Sequence, residues 1–302
     1  MPAVSVVVTT RNYGRYLAGA LRSVLAQTFA DLEIIVIDDG SADDTPEVVR
    51  PFLSDDRVHY HRTDGLGQSR AKNLGILQAR APLIAFLDGD DEWLPHKLEA
   101  QLPLFANPEV GVIYSRRMLM DGDGRDLPTP PAALAGGKIY DVLLVQNPVC
   151  FSSAMVRKSV FEAIGMFDPK LPLAIDYDLW LRVARHFEFD FVDEPLLRYR
   201  TGHANLSKRI TERIAAVLAI LRRSLVRRRN AETADPLAQA EAWGSTCRTM
   251  GYVLREERPL DSAGWYVAAA RHDGRLGSTV KSILGNVLRH LSMARSEIDR
   301  RS

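Results

Sequence analysis

Five short runs rich in β-branched and aromatic residues set the strongest limit on this chain: VSVVVTT (4–10), EIIVIDD (33–39), VHYHR (58–62), LIAFLDGD (83–90) and VGVIYS (110–115). Each reads as a strand, and the intervals between them suit helices. In the stretch 15–27, Leu17, Ala20, Leu21, Val24 and Leu25 fall on one helical face. Thr45 followed by Pro46 reads as an N-cap with proline at the first helical position. A βαβα alternation predicts an α/β fold with a mostly parallel, Rossmann-like sheet, and ligands gather beyond the carboxyl ends of such strands. Two acidic turns, IDDG and LDGDD, sit at those ends.

The second turn poses a physical problem, because Asp88, Asp90 and Asp91 converge where an apolar strand breaks. A hard divalent cation that also holds phosphate would cancel their repulsion, and a solvated acidic turn is the plain alternative. The loop DGLGQSRAKNLGI places Gly65 and Gly67 before a helix bearing Arg70 and Lys72. That combination suits close approach to a pyrophosphate, although its spacing is neither GxGxxG nor a P-loop. The acidic loop DGDGRD (121–126) lacks glycine at the sixth and glutamate at the twelfth position of a calcium loop, so it reads as a polar hairpin. In IDYDLWLRVA, Asp176 and Asp178 would stand about 200° apart on a helix. If Asp176 instead ends the preceding loop, it faces the cleft while Asp178 occupies the first turn.

Taken together, the segments VSVVVTTRNYGRYLAGALRSVLAQTFADLEIIVIDDGSADDT, GLGQSRAKNLGI, IAFLDGDDEWLPHKL and IDYDLWLRVA resemble the family 2 glycosyltransferases of the GT-A fold, in the order that family carries them. The resemblance covers residues 4 to about 205. It implies an inverting, hexosyltransferase-type enzyme that moves a sugar from a nucleoside-diphosphate donor, UDP- or dTDP-linked, to a glycan, glycolipid or polysaccharide acceptor with Mn²⁺ or Mg²⁺. By the same resemblance, Asp39 accepts a hydrogen bond from the donor base and Thr9 contacts that base through its backbone. Asp38 either shares in this or simply shapes the turn. Many members carry an aromatic residue where this chain has Arg11, whose guanidinium either stacks on the base or is a surface cation. Lys72 stands where the family often has arginine, with Arg70 as a second donor-side cation or a solvated helix residue. Asp90 is implied as the direct metal ligand and Asp88 as a contact to ribose or metal-bound water. Asp91 either orients the site or caps the next helix. His203, in YRTGHANLS, matches a histidine that contributes to metal or phosphate in some members, and Asp176 matches the general base. Where the family often has Glu-Asp, this chain has Ile175-Asp176. Acceptor recognition is expected in the segments 127–137, read as a mobile loop, and 147–168, read as a strand-to-helix element.

Beyond about residue 205 the pattern turns helical, which divides the chain into a catalytic domain (1–205) and a helical C-terminal extension (206–302). Ile210, Ile214, Val217, Leu218, Leu221 and Leu225 form one stripe, and Val280, Ile283, Leu284, Val287, Leu288 and Leu291 a second. Segment 206–230 holds eight Lys/Arg against Glu212 alone, a local +7 that leaves −6 for the rest of a chain whose net charge is +1. Such a segment either packs on the catalytic domain or meets an anionic membrane surface. The near-zero total charge argues against a nucleic-acid partner. Cys150 and Cys247 are too few and too far apart for a disulfide framework or a zinc site, which points to a reducing, cytoplasmic setting. No apolar run approaches the roughly 20 residues of a membrane span, so the expectation is a soluble chain or a peripheral one on the inner face of the membrane, with a role in envelope polysaccharide synthesis. Two other readings share parts of this pattern. A sugar nucleotidyltransferase has the same sheet plan but needs a Gly-rich, Arg/Lys-containing signature near its first strand, which TTRNYGRY lacks. A catalytically silent nucleotide-sugar-binding module would have no need of Asp176.

Overall fold

A computed structural model describes residues 1–202, 210–226, 235–255, 258–275, 277 and 280–285. The chain forms two compact units, Met1–Tyr140 with Asn147–Asn205, and Asp141–Gln146 with Leu206–Ser302. The strands are β1 (Val4–Thr10), β2 (Leu32–Asp38), β3 (Val58–Arg62), β4 (Leu83–Asp88), β5 (Glu92–Trp93), β6 (Val110–Met120), β7 (Asp126–Leu127), β8 (Met155–Arg157) and β9 (Glu188–Arg200). The helices of the first unit are α1 (Gly14–Leu25), α2 (Thr45–Val49), α3 (Gln68–Gln78) and α4 (Lys97–Gln101), then, after α5 (Tyr140–Val145), α6 (Lys158–Ile164) and α7 (Ile175–Val183). The second unit contains α8 (Ile210–Val226), α9 (Pro236–Leu254) and α10 (Pro259–Asp273).

One sheet runs in the order β3-β2-β1-β4-β8-β6-β9-β5, with β7 paired to β6. Strands β3, β2, β1 and β4 run parallel to one another, as do β6 and β9, while β8 runs antiparallel between β4 and β6 and β5 runs antiparallel to β9. This is the α/β, mostly parallel architecture that the alternation of apolar runs implies. Burial follows the periods of the elements: Val4, Val6 and Val8 of β1 share a core with Leu17, Ala20, Leu21 and Val24 of α1. Full burial of each larger side chain there contributes roughly 2 kcal/mol.

Two local details differ from the sequence reading. Helix α2 begins at Thr45 with Asp44 before it, so Thr45 is not the N-cap. Its hydroxyl donates to Asp43 Oδ1 at 2.6 Å, and Asp43 also accepts the amides of Thr45 and Gly14, which ties the starts of α1 and α2 to one carboxylate. Strand β6 runs on past Ser115 because β9 pairs along its length through several register shifts. The acidic loop after Met120 is a hairpin, with Met120 opposite Asp126. The 127–137 segment is anchored at its far end, where Ala135 exchanges hydrogen bonds with the Tyr114 hydroxyl and Gly137 bridges Phe189.

In the second unit, Ile214 and Leu218 of α8 pack with Met250 and Leu254 of α9 and with Trp265 of α10. Ile214 and Leu218 of the first predicted stripe therefore face their own unit's helices and Leu221 is buried, although Ile210 is exposed and Ile220, outside the stripe, is buried. Of the second stripe, Val280 and Leu284 are exposed, and Val287, Leu288 and Leu291 lie outside the described residues. No helix among the described residues is long and apolar enough to cross a membrane.

Candidate active site

The carboxyl ends of three adjacent strands converge, because Thr10 sits in register with Asp38 and Thr9 with Asp88. Two close approaches hold the turns beyond them. A Cβ on Gly89 would lie 2.9 Å from Thr10 Cβ, and one on Gly40, whose φ is +73°, would lie 2.7 Å from the Gly65 amide nitrogen. Neither position has room for a side chain.

The adjacent residues Asp38 and Asp39 take different work. Asp38 is fully buried, accepts the Ser41 amide at 2.8 Å and the Tyr60 hydroxyl at 2.7 Å, and so shapes the turn. Asp39 accepts the Leu66 amide (2.5 Å) and the Thr63 hydroxyl (3.0 Å) on Oδ1 and the Gly67 amide (3.0 Å) on Oδ2. It thereby fastens the 65–67 loop, whose glycines at φ +87° lead into α3, and one acceptor position remains on Oδ2. Arg11 lies 3.9 Å from that oxygen with most of its side chain in solvent. The Thr9 carbonyl accepts the Gly89 amide, and its hydroxyl donates to Asp88 Oδ1 at 3.1 Å. Lys72, almost fully buried, reaches the same Oδ1 at 2.5 Å and lies 4.2 Å from the Phe151 ring centre. Arg70 is exposed on α3.

Asp90 and Asp91 are both buried. Burial first, and then the charge of Asp90, push the Asp91 carboxyl well above the usual carboxylate range. Burial also raises the Tyr13 phenol, with further contributions from Asp90, Asp88 and Asp91. These shifts report concentrated negative charge around the turn. Asp91 accepts the Arg200 amide at 2.8 Å rather than capping α4, which His96 precedes.

Asp176 lies in the first turn of α7, since the helix starts at Ile175 rather than after the aspartate. The separation of about 200° then has its expected effect. Asp178 is buried and pairs with Arg182 at 3.0 Å, and Arg182 in turn donates to the carbonyls of Ile164, Gly165 and Met166. Asp176 is half-buried on another side and accepts the Asn147 side-chain amide at 3.3 Å. Burial raises its carboxyl, opposed by amides at the helix start; Asp88 raises it further and Lys72 lowers it. Asp176, Asp88 and Lys72 therefore share one electrostatic environment. Just before the helix, Ala174 adopts φ +54°, a left-handed conformation that costs a non-glycine residue about 1 kcal/mol.

Arg200 and Ser152 escaped the sequence reading. Buried Arg200 donates to the Asp90 carbonyl (2.7 Å), Glu92 (2.9 Å) and the Asp121 carbonyl (3.1 Å), and packs 4.6 Å from the Tyr16 ring centre. Ser152 accepts the Asp88 amide at 3.2 Å and hydrogen-bonds Asp91, while its carbonyl accepts the Trp93 indole N–H at 2.7 Å. The signal available for Ser152 was a serine pair inside the otherwise apolar VCFSSAMV, since buried hydroxyls need partners. Arg200→Lys is expected to lower stability by about 2 kcal/mol, because an ammonium cannot serve these separate acceptors. An unchanged thermal midpoint would contradict the role assigned to the guanidinium.

Asp88 and Asp90 offer hard oxygen donors, and Mg²⁺ is commonly held by one or two carboxylates plus substrate phosphates. Among the described residues no group of three or more His, Cys, Asp or Glu side chains is arranged to hold a metal. His203 lies outside the described residues.

The profile of glycosyl transferase family 2 matches residues 5–165, and the chain belongs to that family. An uncharacterized glycosyltransferase of Nostoc sp. is 34% identical over 177 residues, which cover 55% of this chain and 54% of that protein, so the chain spans about half of this relative's length. Among solved structures, residues 1–349 of S. aureus TarS in complex with UDP-GlcNAc superpose with a TM-score of 0.68 at 18% identity, covering 94% of this chain and 82% of that one. The mannosyltransferase PcManGT of Pyrobaculum calidifontis, in complex with GDP-Man and Mn²⁺, gives a TM-score of 0.64 at 17% identity, covering 96% and 87%. These two likenesses establish the GT-A fold.

Proposed function

We propose that this chain transfers a sugar from a UDP- or dTDP-linked donor to a hydroxyl of a glycan, glycolipid or polysaccharide acceptor, by a single displacement that inverts the anomeric centre. The observation that carries the reading is the contact of Lys72 with Asp88 beyond the ends of β1 and β4, and both charges act on the Asp176 carboxyl. The UDP-GlcNAc complex of the fold neighbour TarS and the GDP-Man and Mn²⁺ complex of PcManGT are consistent with a nucleotide-sugar and cation site in this fold.

In this account Asp39 uses its remaining acceptor position for the donor base, with Arg11 beside it. Lys72 faces the diphosphate, and Arg70 adds a more distant positive charge. Asp88 and Asp90 would hold Mn²⁺ or Mg²⁺, whose contribution is to neutralise the charge that develops on the leaving diphosphate. Asp176 removes the proton from the acceptor hydroxyl as the new bond forms, a role that its raised carboxyl pKa favours. Asn147, at the start of the 147–168 segment, touches the proposed base Asp176, which supports acceptor recognition by that segment. Calorimetric titration of UDP is expected to give tighter binding in Mn²⁺ than in EDTA. Equal affinities would remove the cation from this account.

A second reading concerns the C-terminal unit and places it at an anionic membrane surface. A groove of about 670 Å³ between α8, α9 and α10 is lined by Leu218, Trp243 and Trp265 together with Arg222 and Arg223. Indole rings and guanidinium groups together suit the interface between lipid headgroups and acyl chains. Flotation with liposomes is expected to require anionic lipid and to weaken as salt rises. Equal recovery on neutral and anionic vesicles would leave the basic segment with a packing role alone.

A further inference from the structure

We propose that Lys72 is an internal counter-ion that holds Asp88 in the donor-free protein and passes to the donor's diphosphate on binding, so that donor and divalent cation bind with positive coupling. This rests on the reading of Asp88 and Asp90 as the cation site. Lys72 Nζ lies 2.5 Å from Asp88 Oδ1 and 2.8 Å from Thr9 Oγ1, and the Thr9 hydroxyl donates to the same Oδ1. That oxygen is thus committed twice over before any ligand arrives. The lysine side chain is 7% exposed and that of Asp88 37%, so the ammonium covers the carboxylate from the protein side and leaves its other side open.

Two cations that share one carboxylate repel each other, and the ammonium at 2.5 Å therefore lowers the affinity of Asp88 for a metal ion. A diphosphate changes the balance, because it offers the ammonium new anionic oxygens and frees Asp88. Lysine suits such an exchange better than arginine, since a compact charge on a flexible four-carbon stem pivots where a rigid two-pronged fork would stay bound. The Phe151 ring, 4.2 Å away, gives the ammonium a surface on which to move without entering bulk water. Linkage makes the coupling reciprocal: the factor by which UDP tightens Mn²⁺ equals the factor by which Mn²⁺ tightens UDP.

The test is Mn²⁺ binding to the full chain, followed by loss of the free-ion electron paramagnetic resonance signal, with and without UDP. The wild-type protein is expected to bind Mn²⁺ weakly alone and at least about tenfold tighter with UDP, within the usual range of coupling between sites. Lys72→Met keeps the stem and removes the charge. It is expected to bind Mn²⁺ alone about tenfold tighter than wild type, with the UDP effect reduced by a similar factor. Thr9→Val loosens the ammonium without removing it and should shift both quantities a smaller distance in the same direction, which carries the test if Lys72→Met does not fold. Unchanged or weaker Mn²⁺ binding in the nucleotide-free variants, with the UDP effect intact, would overturn the proposal alone. Independent binding of UDP and Mn²⁺ in the wild-type protein would overturn the cation site itself, and this proposal with it.

Discussion

Asp176→Asn is expected to slow sugar transfer by about 10²- to 10⁴-fold, the usual contribution of a positioned base, while donor affinity stays within a few-fold of wild type. The amide keeps the size of the carboxylate and its contact with Asn147, so the α7 N-terminus should hold its shape. Only the ability to take a proton is lost. Asp178→Asn is the control that separates chemistry from structure. Asp178 is buried against Arg182, which holds the 164–166 carbonyls, so this change should cost about 1–3 kcal/mol of stability and leave turnover largely intact. The pH profile gives a second signature. A base works deprotonated, and burial raises Asp176, so the rate should rise with pH through a pKa above the usual aspartate value. That acid limb should disappear in Asp176→Asn. A variant that retains both the limb and the rate would exclude Asp176 as the base.

Asp90→Ala is expected to reduce cation-stimulated turnover by about 10²-fold or more, through loss of charge stabilisation at the leaving diphosphate, and to make UDP affinity insensitive to Mn²⁺. Stability should move the other way. Asp90 shares one turn with Asp88 and Asp91 and its charge raises the Asp91 carboxyl, so its removal relieves repulsion in the ligand-free protein. An unchanged or higher thermal midpoint alongside lost turnover is the trade expected where a site holds like charges together for function. Simple unfolding of the variant would instead mean that Asp90 serves the fold.

The reach of the sequence can be judged from particular elements. β1, β2 and β4 were legible because they are buried, which leaves near-continuous apolar runs. β9 was not, because EFDFVDEPLLRYR mixes acids, a proline and arginines into a strand that pairs with β6 on one side and with β5 on the other. Asp38 and Asp39 are identical neighbours in the sequence, and only the fold separates the one that shapes the turn from the one that holds the 65–67 loop. Arg200 reads as one more arginine near a strand end until pairing with β5 and β6 brings it against a turn 109 residues earlier in the chain. The arrangement at IDYDLW was legible in part: helical spacing separates the two aspartates, but the helix begins two residues sooner than the loop-ending arrangement requires.

The central claim is a single displacement at this site, and hydrolysis of the donor tests it without knowledge of the acceptor, because water can take the place of the acceptor hydroxyl. The protein is incubated with Mn²⁺ and an α-linked UDP- or dTDP-hexose, and the first-formed free sugar is observed by proton NMR before its anomers equilibrate. The account predicts the β-anomer first, at a rate that falls in Asp176→Asn. Release of the α-anomer first would contradict it.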